Sequence, residues 1–127
     1  MSRDGSITLP FADGDKVFRL AWGELVKLQE AADAGPFVVY NRLMTGTWRL
    51  GDISNTIRLG LIGGGLDAPK ALQFVQSYVE SRPPLESLPL AQGILGTALQ
   101  GAPDEKPGES EGEGVSASTT SPTESSE

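Results

Sequence analysis

Leu50-Gly51-Asp52-Ile53-Ser54-Asn55-Thr56-Ile57-Arg58-Leu59-Gly60-Leu61-Ile62-Gly63-Gly64-Gly65 reads as one amphipathic helix that ends in three glycines. Ile53, Ile57 and Leu61 recur at i, i+4 and i+8 and so share a face, which Leu50 and Leu59 widen. The spacing predicts a helix over 51–62, with Asp52 or Ser54 capping its start. Gly63, Gly64 and Gly65 form the structural turn that stops it, because glycine enters left-handed backbone without steric cost. Apolar segments flank this helix on both sides in sequence, so it is expected at the centre of the packing.

The chain divides by composition. Of its 127 residues, 102–127 contain no aromatic residue, no Leu and no Ile. Seven acidic groups stand there against the single Lys106, so this segment carries −6 of the net −7. Ser, Gly and Glu dominate it, and it cannot bury enough apolar area to order itself. It is expected to be a disordered acidic tail. Residues 1–101 are nearly neutral and long enough for one small domain with a core of its own. There is no cysteine and no histidine, which excludes disulfides, thiolate metal sites and His-based catalytic triads. No apolar run reaches the ~18 residues of a membrane span, and the polar N-terminus lacks a signal-peptide core. No dense Lys/Arg patch suggests nucleic acid.

The expected fold class is α+β, mostly α. Ser6-Ile7-Thr8-Leu9-Pro10-Phe11 alternates apolar and polar residues, and Lys16-Val17-Phe18-Arg19-Leu20 is a second strand-like run. The Asp13-Gly14 pair between them suits a tight turn, giving a β-hairpin over 6–20 with Pro10 restricted to an edge. About five short helices follow. The first covers 21–34, with Trp22, Leu25, Val26, Leu28 and Ala32 as its core stripe and Gly35 as its C-terminal cap. The segment 36–45 has both strand and helix character; Pro36 and Gly46 favour a helix. Beyond the central helix, Asp67 is placed to cap a helix over 68–82 that Pro83-Pro84 breaks. Pro89 is expected to open the last helix, over 88–100.

Candidate chemistry is sparse. Gly60-Leu61-Ile62-Gly63-Gly64-Gly65 lacks the Gly-Lys-Ser/Thr ending of a phosphate loop and follows a helical pattern instead of a strand. Asp13-Gly14-Asp15 lacks the rest of a calcium loop. Asp52, Asp67 and Glu86 sit at helix starts, where capping explains them. No enzyme activity and no cofactor, metal or small-molecule substrate is expected. Trp48, in a loop, divides between a core role and that of a partner anchor.

The sequence resembles the gene transfer agent family of phage tail proteins, described both as tail tube related and as tail assembly chaperones. The similar features are the hairpin and then Leu20-Ala21-Trp22-Gly23-Glu24-Leu25-Val26-Lys27-Leu28-Gln29-Glu30. Asp52-Ile53 with Ile57-Arg58-Leu59-Gly60-Leu61-Ile62-Gly63-Gly64-Gly65 follows, then Pro89-Leu90, Ile94-Leu95 and Ala98-Leu99. The resemblance implies a cytoplasmic, non-catalytic tail assembly chaperone, acting in a bacterial host or donor cell. It would bind the tape measure protein, the tail tube protein, or both, and self-associate. Trp48, Leu50, Ile53, Ile57 and Leu61 are the candidate partner-binding residues, forming a groove for an apolar helix. The alternative is a structural tail tube or tail-completion subunit retained in the particle. A third reading, a regulatory or toxin–antitoxin domain, lacks a basic recognition helix.

Overall fold

The protein is described by a computed structural model covering residues 4–101. The acidic segment 102–127, and the expectation of disorder there, lies outside the described residues. Two strands and five helices follow one another: β1 (Ser6–Phe11), β2 (Gly14–Arg19), α1 (Trp22–Ala32), α2 (Pro36–Thr45), α3 (Leu50–Gly63), α4 (Ala68–Tyr78) and α5 (Pro84–Gln100). This is the expected hairpin followed by five helices, and 36–45 is a helix.

The hairpin pairs Ile7 with Phe18, Leu9 with Lys16 and Phe11 with Gly14. Its connection is Ala12-Asp13, one residue earlier than the expected Asp13-Gly14. Gly14 opens β2, and the positive φ of 62° falls on Ala12, the first central residue, as in a II′ turn. Lys16 bonds the Asp13 carboxylate and holds it below the usual carboxylate range. A two-residue connection makes Phe11–Gly14, Leu9–Lys16 and Ile7–Phe18 the pairs that exchange backbone bonds inside the hairpin. Ser6, Thr8 and Pro10 on one edge, and Asp15, Val17 and Arg19 on the other, turn their backbone groups outward. Pro10 therefore loses no ladder bond.

α3 packs against β2 and all four other helices. Ile53, Ile57, Leu59 and Leu61 are buried in one cluster with Phe18, Leu28, Leu43, Val75, Ile94 and Leu95. The turn after α3 has an additional cause. A Cβ on Gly63 would collide with the Arg19 carbonyl oxygen, and one on Gly64 with that of Val17. Gly64 caps the helix at a right-handed φ of −82°; of the three, only Gly65 has positive φ, at 114°. Close approach to the strand, more than left-handed backbone, requires glycine at Gly63 and Gly64. Gly60 continues this face, where an added Cβ would stand 3.1 Å from Ile94 and 3.3 Å from Phe18.

Several boundaries differ from expectation. Trp22 was expected in the core stripe of α1 but is 84 % exposed. It is the first residue of α1, and the helix turns Leu28 and Ala32 inward instead. α1 ends at Ala32 because Asp33 takes the left-handed cap (φ 54°), leaving Gly35 to serve as the N-cap of α2. α4 ends at Tyr78, short of Arg82. The amides of both Val79 and Glu80 turn back to the Val75 carbonyl, and Pro83 disfavours helical backbone at Arg82. α5 starts at Pro84, since a proline fits the first turn of a helix. Pro89 consequently lies inside α5, where its missing N–H removes the helical bond to the carbonyl of Leu85, a residue that is 67 % exposed. Asp67 occupies the N-cap of α4 without making a side-chain capping bond.

Candidate interaction surface

Gly46 ends α2 with a φ of 86°, and the chain turns through Thr47, Trp48 and Arg49 into α3. This corner is fixed by one carboxylate. Asp52, expected at the N-cap, lies a turn further in and is only 1 % exposed. Its Oδ1 accepts from an Arg42 terminal nitrogen at 2.8 Å and its Oδ2 from Arg42 Nε at 3.0 Å. Oδ2 also accepts the backbone N–H of Arg49 at 2.8 Å, which caps the helix from within its first turn. Two forked bonds and a backbone donor satisfy a charge that burial would otherwise penalise heavily. The arrangement joins the last turn of α2 to the first turn of α3.

The corner frames an apolar depression of about 330 Å³. Leu50, Ile53 and Ser54 contribute from α3, Val79, Glu80 and Arg82 from the end of α4, and Pro84 from the start of α5. Ile53 and Val79 are nearly buried and make the floor, while Leu50 stands 66 % exposed at the wall. Leu85, 67 % exposed, follows Pro84 directly. An apolar floor with a Glu80/Arg82 rim suits an apolar side chain presented by another protein. Arg82 also borders a second depression of about 240 Å³, between the hairpin tip and α5. There its guanidinium lies 5.8 Å from the Tyr78 ring centre and 3.9 Å from Glu86.

The five candidate partner-binding residues do not share one surface. Leu50 and Ile53 meet at the depression. Trp48 is partly buried against the core and is absent from the lining. Ile57 and Leu61 are at most 1 % exposed, sealed by the elements that surround α3. The face that the i, i+4, i+8 spacing defines is the core face, so only its N-terminal end reaches solvent. Gly63, Gly64 and Gly65 lie at the other end of the helix, about 20 Å away at the rise of an α-helix. Sequence reasoning missed Arg42, Val79 and Leu85. For Leu85, the Pro83-Pro84 pair was the available signal, since a proline at a helix start places the next apolar residue in the exposed first turn.

Among the described residues, no group of three or more acidic side chains is placed to hold a metal ion. No helix among them is long and apolar enough to cross a membrane. Among the described residues, the one buried carboxylate, Asp52, is paired with Arg42.

The family model described as "Phage tail tube protein, GTA-gp10" matches residues 4–101, the same span that the structure describes. Searches of curated proteins and of solved structures return no match. The chain therefore belongs to the GTA-gp10 family of phage tail tube proteins.

Proposed function

We propose that the protein is a non-catalytic structural subunit of a phage or gene-transfer-agent tail, associating with tail proteins or with copies of itself. The observation that carries this reading is the match of the tail tube family to the whole folded domain. The depression beside Leu50 and Leu85 supplies a place for such contacts. On this reading the chain uses no cofactor, nucleic acid, membrane or small-molecule substrate, and acts in the host or donor cell cytoplasm, where tails are built.

A second reading is favoured by one observation. The described residues hold only two strands, whereas a ring closed by strand pairing needs more. A small helical protein with an apolar depression instead suits a tail assembly chaperone that covers apolar seams of the tape measure protein. Many weak contacts along a long partner would act together and still let tube subunits displace it.

Co-expression with the neighbouring tail tube and tape measure proteins, followed by affinity capture, tests the reading. A structural subunit is expected to copurify with the tube protein and assemble into rings or tubes visible by negative-stain microscopy. Capture of the tape measure alone, without such assemblies, would favour the chaperone.

A further inference from the structure

The two edges of the hairpin are not equivalent. On the β2 edge, the outward carbonyls of Val17 and Arg19 face Gly64 and Gly63 so closely that no Cβ fits between. That edge is closed by the end of α3. On the β1 edge, Thr8 is exposed, and no hydrogen bond joins its N–H or C=O to another described residue. β1 itself, Ser6–Phe11, carries no charged side chain. Edge strands in monomeric proteins are usually protected by charge, by proline or by a covering element. Here Pro10 removes one outward donor and the Asp4 carboxylate accepts the outward Ser6 N–H, which leaves Thr8 open between them.

We propose that the β1 edge is a self-association site, where β1 of a second copy of this chain adds antiparallel and extends the hairpin to a four-stranded sheet. Four features select a second copy. With one edge closed, the sheet cannot grow in both directions, and one self-complementary edge makes a closed two-fold pair. In the register centred on Thr8, each Thr8 N–H meets the partner's Thr8 carbonyl, and Thr faces Thr, a favourable cross-strand pair. Ser6 falls opposite the partner's Pro10, whose carbonyl can accept the Ser6 N–H that now donates to Asp4 at 3.0 Å. Ile7 falls opposite the partner's Leu9, so neither strand sets like charges against each other. Pro10 costs the pair one bond on each side and limits its length. The edge alone is smaller than the ~800 Å² per partner of a standard interface, so association depends on concentration. The inference rests on the hairpin geometry and holds whether the tail role is structural or that of a chaperone.

The test uses the full chain. Sedimentation across a concentration series is expected to show a monomer–dimer equilibrium. Thr8→Pro removes the outward N–H at a position equivalent to Pro10 and is expected to weaken dimerisation at least tenfold while far-ultraviolet circular dichroism stays unchanged. The chain has no cysteine, so Thr8→Cys adds a single thiol. In the dimer two such Cα atoms stand ~5.5 Å apart, within disulfide range. Oxidation is expected to link Thr8→Cys into a dimer far faster than Glu30→Cys, on α1. Amide exchange in the unmodified chain is expected to slow at Thr8 as concentration rises, which keeps the test independent of how Thr8→Pro folds. A chain that stays monomeric at every concentration overturns the proposal, as does a dimer in which Thr8 remains unprotected or the two cysteine variants cross-link at equal rates.

Discussion

Arg42 grips Asp52 with two bonds, 2.8 and 3.0 Å long, across the corner between α2 and α3. The Asp52 side chain is 1 % exposed and that of Arg42 15 %. Removing either partner leaves the other charge buried and alone, which costs ~3–5 kcal/mol. Arg42→Ala and Asp52→Ala are each expected to fall in that range by urea denaturation. The double replacement Arg42→Met with Asp52→Leu is expected to recover most of the loss. A loss below 1 kcal/mol in both single variants would show that the pair does not hold the corner.

Gly63 and Gly64 give the second prediction. Alanine at either must push β2 away from α3, an overpacking cost of ~3 kcal/mol. At Gly65 no atom lies within 4 Å of an added Cβ, and only the positive φ opposes alanine. Gly65→Ala is expected to cost ~1 kcal/mol. Equal costs at all three positions would mean that the strand does not press on the helix end.

The two tryptophans should separate in fluorescence. Trp22 is 84 % exposed and Trp48 is partly buried against the core. Trp22→Phe is expected to remove a red-shifted, readily acrylamide-quenched emission and to change stability by no more than ~0.5 kcal/mol. Trp48→Phe should leave that emission in place. A blue-shifted Trp22 would contradict its placement.

Leu50→Glu, in the lining of the depression, and Leu85→Glu, one residue beyond the lining Pro84, are expected to leave thermal unfolding nearly unchanged and to abolish capture of the tail partner. Ile57→Ala, by contrast, opens a cavity in the core and is expected to cost ~2–5 kcal/mol. If both glutamate variants retain full capture, the partner binds elsewhere.

Apolar spacing located four of the helices because each one turns a stripe toward the same cluster, while the helix over 36–45 was read from Pro36 and Gly46 at its ends. The same spacing could not separate core from surface at Trp22, Ile57 or Leu61. An apolar residue at helical period looks alike whether neighbours cover it or not. Arg42 and Asp52 lie ten residues apart on different helices, and their pairing depends on the angle set by Gly46 and Trp48, which local patterning does not encode. The triple glycine was legible as a helix end. Its contact with Val17 and Arg19 was not, because sequence distance hides which strand passes beside the helix. The candidate surface was half legible: Leu50 and Ile53 lie on the expected helix face, while Val79, Pro84 and Leu85 arrive from a chain break whose geometry only the fold supplies.

The most direct measurement is quantitative mass spectrometry of purified tails or gene-transfer particles from a strain that encodes this chain. A structural subunit is expected in the mature particle at a fixed copy number proportional to the tube protein. Its absence from mature particles, with abundance in lysates where tails are being assembled, would contradict the structural role and leave the chaperone reading in its place.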